Sequence, residues 1–513
     1  MSNSFPEENE EEEGEQEFQP QTHHPSAPPH ELFDISTTVD PSYVISLIRK
    51  LIPSDVKDDE TALQSGLLCE EPNTEGVADN SISMPENGGE DEAMEYSENY
   101  GKVDGPGATN DNQNRGGSKR EETWEECGCI LWDLAASEDH AQLMVQNFIY
   151  DVLLANLVVS QSSRITEISL GIIGNLACHE ISRKQIASTN GLVRVIVDQL
   201  FQDDVPCLCE ACRVVTLCLQ GSEGVIWAEA LQTEQILSRT LWIAENALNP
   251  LLIEKSVGLL LAVLESQQEV ADIVLPPLVK LGLSGLLINL LAFEMSKFRG
   301  ERITERYSLL DLILRTIEAL SIIDDYSQEI CQNKELLEIL KELIKLPDKI
   351  EISSSCITAA VLIANILSDA KDLASELSQD FNFLQGMFDV FPFASHDTEA
   401  QNAIWSTIAR LLKLVQENDM SPPMLHHLVS ILSGKLDLIE DELLVHQLDH
   451  RTSSSSSAKT DDRFIVTKRI SDILTIWKFL DDEKKSTVSM EDYYINEEDV
   501  DKLLSQCCKA SSC

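Results

Sequence analysis

An internal repeat of a little over forty residues is the feature that most limits what this chain can fold into. Successive copies of one short apolar segment are 42, 42, 45, 57, 46 and 45 residues apart, and a weaker last copy lies near Leu474–Trp477. Each copy ends a longer apolar run with helical spacing. The seven clear copies begin at Trp132, Gly174, Thr216, Leu261, Glu318, Ala364 and Ala409.

A period of this length, built of two or three helices, is typical of armadillo and HEAT repeats. One repeat cannot bury its apolar face alone, so its neighbours must stack on it. We therefore expect an all-α, armadillo/HEAT-like, right-handed superhelical solenoid over residues 121–480, with about seven to eight repeats and almost no sheet. The alternative is an irregular helical bundle whose spacing agrees by chance.

The N-terminal part of the chain differs from the repeats in composition. The 513 residues include 88 acidic and 38 basic side chains, for a formal charge of −50. Residues 1–120 are rich in Glu, Ser, Asn, Gly and Pro, and they cannot bury enough apolar surface to offset chain entropy. We expect a disordered acidic arm there. A short amphipathic helix is predicted at 42–52, where Val44, Leu47 and Leu51 share one face, able to dock on the body or on a partner.

Two further segments are set apart by composition. Residues 481–513 are predicted to form an acidic C-terminal tail. The serine run Ser453–Ser457 predicts a flexible loop at 452–461 that interrupts the repeat domain.

Charge and targeting features favour a protein of the nucleus or the cytoplasm. The acidic N-terminus is unlike a secretory or organellar signal, and 13 scattered cysteines are typical of a reducing compartment. The negative charge argues against direct binding of nucleic acid or an anionic membrane. Ile273–Phe293 is apolar enough to resemble a membrane span, but a buried helix pair explains it better. We expect no secretion and no membrane crossing.

The sequence contains none of the common catalytic motifs, and its histidines are scattered, so we expect no catalytic residue and no cofactor. Cys207, Cys209 and Cys212 form the best metal candidate. A structural zinc site needs a second spaced pair of ligands, and none follows. Core packing of these thiols is therefore favoured, and no metal is expected. A metal-dependent enzyme on a helical scaffold would require stoichiometric zinc.

The first two repeats carry a family resemblance. Trp132–Ala135 and Leu170–Cys178, with the acidic lead-in Glu121–Glu126, resemble the serum amyloid A-like, or synoviocyte proliferation-associated, family. The resemblance extends over about residues 125–180. It implies an armadillo-like intracellular protein, largely nuclear, with a role in cell proliferation and no catalytic residues. The chain departs from the family in its longer segment 53–120 and in the serine loop.

The third helix of each armadillo repeat is expected to line the concave surface. If the Asn175 position and the position one helical turn before it face that groove, polar residues of successive repeats form a row. Because three of them are arginines, we hypothesise a locally basic groove that binds an extended acidic protein segment. The alternative is that the arginines form ion pairs within repeats. The predicted partner-binding residues are Asp133, Asn175, Arg213, Arg315, Asn365, Ser406 and Arg410.

Two functional interpretations follow. The first is a non-enzymatic scaffold or adaptor that binds proteins. The second is a nuclear transport-type receptor for basic peptide cargo. Such a receptor would carry, in successive repeats along its groove, a Trp followed four residues later by an Asn. No repeat carries both residues of such a pair: the residue four after Trp405 is Ala409, and the residue four before Asn175 is Gly171. A lysine-rich peptide that bound in place of an acidic one would favour the second. The sequence leaves the partner and the oligomeric state open.

Overall fold

A computed structural model of the chain describes residues 39–53, 114–300, 304–415, 420–441, 457–480 and 495–511. Most of the predicted acidic arm, the part of the serine loop before Ser457, and the beginning of the predicted C-terminal tail lie outside these residues.

The described residues are helical and contain no strand. The predicted all-α, armadillo-like fold is confirmed. In chain order the helices are α1 Pro41–Lys50, α2 Asn114–Leu134, α3 Glu138–Gln146, α4 Ile149–Val159, α5 Ser163–Ala177, α6 Glu180–Ser188, α7 Leu192–Asp198, α8 Val205–Leu219, α9 Gly224–Leu231, α10 Glu234–Asn246, α11 Pro250–Leu264, α12 Gln268–Lys280, α13 Leu283–Gly300, α14 Tyr307–Ser321, α15 Asp324–Cys331, α16 Lys334–Ile344, α17 Ser353–Asp369, α18 Lys371–Leu377, α19 Phe381–Val390, α20 Thr398–Leu414, α21 Pro422–Gly434, α22 Ser457–Lys478 and α23 Glu497–Ser511.

The last helix of each repeat, here called its third helix, packs on the third helix of the next repeat. The contacts run from α2 to α5, α8, α11, α14, α17 and α20, and then to α22. Each predicted apolar segment falls at or near the C-terminal end of one of these helices, as Gly174–Ala177 does in α5. The segments therefore mark the third helix of each repeat, whose apolar face contributes to a hydrophobic core that extends from α1 to α23.

Local sequence fixes where several third helices begin. Asp204 caps α8 by accepting a hydrogen bond from the Cys207 backbone N–H at 3.1 Å. Asn249 caps α11 in the same way through Leu251 and Leu252 at 2.9 and 3.2 Å. A proline in the first turn follows each cap, where its missing N–H and fixed φ cost least. These caps and prolines therefore fix the first turns of α8 and α11.

The structure differs from the sequence expectations near the domain boundaries. Helix α2 begins at Asn114, before the predicted boundary at 121, and α22 begins at Ser457, inside the predicted serine loop. Helix α23 occupies part of the predicted tail and packs on α22, because Val500, Leu503 and Cys507 form one apolar face. The division into arm, repeat domain and tail stays a prediction.

The apolar stretch at 273–293 forms two helices. Two adjacent prolines, Pro276 and Pro277, would be expected to break a helix, but both lie inside α12, and the chain turns by 71° only between α12 and α13. Of the helices described, none is by itself both long enough and apolar enough to cross a membrane. Two bent helix pairs, of which α12–α13 is one, meet the length and composition criteria only jointly.

Candidate binding surface on the third helices

The seven predicted residues all lie on third helices, and none is fully buried. Asp133, Arg315 and Ser406 are exposed, whereas Asn175, Arg213, Asn365 and Arg410 are half-buried. We call these seven residues the third-helix row. The row is accessible along its length, but its members differ in how much of their hydrogen-bonding capacity is already used within the protein.

The part of the row on α2, α5 and α8, here called the closed segment, is held together by its own contacts. Asn175 donates from Nδ2 to the Trp132 carbonyl oxygen at 2.8 Å. Arg213 donates from Nη1 to Asn175 Oδ1 and from Nη2 to the Gly171 carbonyl oxygen, each at 3.0 Å, and pairs with Glu210 at 2.7 Å. These bonds join three consecutive repeats and leave little for an outside ligand.

Glycine permits this close approach. A Cβ atom at Gly171 would come within 2.2 Å of the Trp132 ring, and one at Gly174 would come within 2.4 Å of Arg213 Nη2. Such distances are far inside van der Waals contact, so the tryptophan and the arginine pack directly against helix backbone.

The surface of α11 and α14 around Arg315, here called the open segment, is built differently. At Gly258, which has the same repeat position as Gly171, the nearest atom to an added Cβ is a Leu312 methyl at 4.0 Å. Arg315 makes one ion pair, to Glu265 at 3.0 Å, and 49% of its side chain is exposed. The open segment therefore has space and an accessible cation.

In the open segment one carboxyl oxygen lacks a hydrogen-bond partner among the described residues, and a second carboxyl group is partly removed from solvent. Asp311 Oδ1 is buried and accepts no hydrogen bond. Glu318 is half-buried, and burial raises the pKa of its carboxyl above the ordinary value, an effect opposed by Arg315 and reinforced by Asp397 and Asp311. A buried carboxylate without a donor is costly, so this segment presents an unmet demand for positive charge or N–H groups.

The later part of the row again bridges neighbouring repeats. Asn365 Nδ2 donates to Ser321 Oγ at 3.2 Å, and Arg410 donates to the Leu367 carbonyl oxygen. Ser406 is exposed. Of the predicted arginines, only Arg213 has an ion pair within its repeat, so the alternative of pairing within repeats describes one of three.

A second set of residues on the same helices was missed by the sequence analysis. Carboxyl groups recur at steps of 42, 43, 44 and 57 residues, which match the repeat steps of 42, 42, 45 and 57 to within one residue. They are half-buried, and all lie one to three helical turns before the end of a third helix. This spacing was readable in the sequence and could have found them. The set, here called the carboxylate row, comprises Glu125, Glu167, Glu210, Glu254 and Asp311.

The cations near the carboxylate row do not outnumber it. Arg164 lies 2.7 Å from Glu167 and 4.0 Å from Glu125, and Lys255 lies 3.8 Å from Glu254. Arg213 is paired to Glu210 and Arg315 to Glu265, so each of these four cations faces at least one carboxylate. The charges around these helices therefore do not support the expected locally basic groove. That the seven residues bind a partner stays a prediction.

The cysteine candidates are packed in the core. Burial raises the pKa of the Cys207 thiol to about 12, that of Cys209 to about 11 and that of Cys212 to about 12, so these groups hold their protons at neutral pH. Cys207 Sγ donates to the Ser163 carbonyl oxygen at 3.1 Å. In the part of the chain that the structure describes, no group of three or more His, Cys, Asp or Glu residues is arranged to hold a metal ion.

Part of the chain is similar in sequence to known proteins. The protein saal1 of Danio rerio is 33% identical over 147 residues, which cover 28% of this chain and 31% of that protein. The human protein SAAL1 is 32% identical over 105 residues, covering 20% and 22%. The matched part thus spans less than a third of these relatives. No family model matches the chain.

Among solved structures, a designed armadillo repeat protein in complex with the peptide (KR)4 matches with 14% identity and a TM-score of 0.38, covering 47% of this chain and 92% of that one. A likeness this low carries no information about ligands. The resemblance predicted from the repeat motif is confirmed: the chain is related in sequence to the SAAL1 proteins and folds as an armadillo-like helical repeat scaffold.

Proposed function

We propose that the chain is a non-enzymatic scaffold that binds protein partners, and that the open segment on α11 and α14 holds a basic residue of an extended partner segment. The observation that carries this proposal is the buried Asp311 Oδ1, which accepts no hydrogen bond from the described residues, together with the half-buried Glu318, whose carboxyl pKa is raised by burial. Stacked repeats form long accessible surfaces of the kind that bind extended chains.

The chemistry of the open segment favours a cationic ligand. A partner lysine or arginine would supply the N–H donors that Asp311 lacks and would lower the cost of the buried charge on Glu318. Gly258 leaves room on the facing helix α11, since the nearest atom to an added Cβ there is a Leu312 methyl at 4.0 Å. The closed segment offers no comparable site, because Arg213 and Asn175 already satisfy one another.

Binding of an acidic segment, the form first expected from the sequence, would use Arg315 instead. The exposed guanidinium could receive a partner carboxylate, but Glu265 already occupies one side of it. Such a ligand would also approach Asp311 and Glu318, which would repel it. The proposal has two more specific versions: the scaffold transports basic cargo, or it has a role in cell proliferation. The second of these rests on the family resemblance alone.

Fluorescence anisotropy with two labelled peptides of equal length tests the proposal. One peptide alternates lysine with serine, and the other alternates glutamate with serine. The full chain should bind the basic peptide, more weakly as salt rises. The double variant Asp311→Asn/Glu318→Gln should bind it at least about tenfold more weakly, which corresponds to about 1.4 kcal/mol.

The matched control is Glu229→Gln/Glu245→Gln, which removes two exposed carboxylates from α9 and α10 and the same total charge. Equal loss of binding in this control would mean that the overall charge of the protein, not the open segment, attracts the peptide. Preference for the acidic peptide, abolished by Arg315→Glu, would overturn the basic form and support the acidic one. No binding of either peptide would contradict this site.

A further inference from the structure

Helix α1 is attached to the N-terminal end of the repeats although 63 residues separate it from α2. It packs on α2 and α3, and Val44, Leu47, Ile48 and Leu51 are 0–3% exposed. The opposite side of α1 is exposed at Ser46 and Arg49. Because α2 has no preceding repeat in the described structure, α1 covers apolar surface that a neighbouring repeat would cover elsewhere.

The C-terminal end of α1 is held by two side chains of the body. Trp124 Nε1 donates to the Leu51 carbonyl oxygen at 3.2 Å, and Asn156 Nδ2 donates to the same oxygen at 2.8 Å. This carbonyl would otherwise lack a partner at the helix end. The body thus recognises both an apolar helix face and a helix C-terminus, two features that do not depend on α1 being part of the same chain.

Charge also matches across this contact. The last turn of α1 carries Arg49 and Lys50, and Lys50 lies near enough to Cys127 on α2 to oppose the rise that burial causes in its thiol pKa. The same stretch of α2 carries acidic residues, among them Glu122, Glu125 and Glu126. Basic residues at a helix C-terminus interact favourably with the helix dipole, and the acidic residues of this stretch of α2 carry the opposite charge.

We propose that α1 is a releasable cap, and that the groove it leaves between α2, α3 and α4 binds an amphipathic helix of a partner protein. The partner helix would have apolar residues at i, i+3, i+4 and i+7 and basic residues in its last turn, as α1 does at Val44, Leu47, Ile48 and Leu51. The cap is held by one apolar face and two hydrogen bonds, features that a partner helix can reproduce, so a partner helix displaces α1 once its concentration overcomes the advantage that α1 has as part of the same chain. Competition from α1 would set the threshold for partner binding.

The test uses the full chain and a labelled peptide of residues 39–53. In Leu47→Asp/Ile48→Asp the cap is released, since two carboxylates cannot enter the apolar groove. The peptide should then bind at least about tenfold more tightly than to the wild-type chain, where α1 competes at high effective concentration. Ser46→Asp, on the exposed side of α1, is the matched control and should bind the peptide as the wild type does.

Labelling of Cys127 with a maleimide, located by mass spectrometry, reports release directly, because this thiol is 4% exposed on α2 beside Lys50. Its labelling should speed up in the released variant, while Cys212 in the core of α8 stays protected. Joint labelling of Cys127 and Cys212 would contradict the proposal, because α1 would then be an integral part of the fold. Peptide binding to neither protein, or equally to both, would overturn it as well.

Discussion

The closed and open segments of the third-helix row have the same place in the repeat and opposite internal chemistry. In the closed segment Arg213 and Asn175 bond to each other and to backbone of preceding repeats. In the open segment Arg315 makes one exposed ion pair and Asp311 has a buried oxygen without a donor. A polar row along a solenoid can therefore serve two purposes, stacking of repeats in one part and recognition in another.

The contrast is clearest at two glycines in the same register. Gly171 lies against the Trp132 ring, whereas Gly258 has no neighbour closer than ordinary contact. Residue type alone does not distinguish these positions, because the tryptophan that fills the space belongs to the preceding repeat. The difference between the segments is thus set by packing between repeats.

Substitution of the two glycines by alanine should give the largest difference between the segments. Gly171→Ala should lower the free energy of unfolding by about 3 kcal/mol, because the rigid Trp132 ring must shift to admit a methyl group. Gly258→Ala should raise it by about 0.5–1 kcal/mol, since alanine favours the helix and meets no clash. Urea titration of both variants measures the two effects.

Gly285→Ala is the control for helix propensity, because nothing lies within 4 Å of its added Cβ on α13. It should stabilise the chain as Gly258→Ala does. If Gly171→Ala were also neutral or stabilising, Trp132 would not be packed as described and the closed segment would not be closed.

Removal of the two arginine side chains sharpens the comparison further. Arg213→Ala should cost about 2 kcal/mol of stability, because it leaves Glu210 and Asn175 without their charged partner in a half-buried place. Arg315→Ala should cost about 0.5 kcal/mol or less, since exposed ion pairs contribute little. Thermal unfolding of the two variants at the same salt concentration measures both.

The salt dependence of these effects provides the check. Loss of the exposed Arg315–Glu265 pair should become undetectable at 1 M salt, whereas the loss at Arg213 should persist, because partly buried pairs are less screened. Equal losses at the two positions would show that both arginines are structural and would remove the distinction between the segments.

The sequence predicted the repeats well because their signal is periodic. Segments such as Gly174–Ala177 and Leu261–Leu264 recur at the repeat length and end third helices in the structure. The carboxylate row has the same period and was missed, because only the Asn175 position and the position one turn before it were compared. That part of the candidate site could have been predicted by comparing every position of the third helix.

Other features are not encoded locally. The bond from Asn156 to the Leu51 carbonyl oxygen joins residues 105 apart, and no short-range pattern marks the two as partners. Likewise, nothing near Arg213 in the sequence indicates that its guanidinium bonds to Asn175 in the preceding repeat. Such contacts depend on how repeats stack, so the sequence predicts which helix face is polar but not which polar groups satisfy one another.

The smallest expected effect concerns the pH dependence of the open segment. Burial raises the pKa of Glu318, so the folded chain holds this proton more tightly than the unfolded chain, whose glutamate titrates near about 4.3. Stability linked to Glu318 is therefore present below the unfolded pKa and lost as pH rises through the folded pKa. Compared with the wild type, Glu318→Gln should gain stability between pH 4 and pH 7, as measured by thermal unfolding at each pH.

Glu245→Gln, at an exposed position of α10, corrects for the loss of one negative charge. A basic peptide bound to the open segment should reduce the advantage of Glu318→Gln, because a nearby cation favours the ionised carboxylate. The closed segment offers no such coupling, since Glu210 already has Arg213 beside it at 2.7 Å. An advantage of Glu318→Gln that shrank with rising pH would show that the attraction of Arg315 outweighs the burial of Glu318, and the open segment would then lack the unmet charge that distinguishes it.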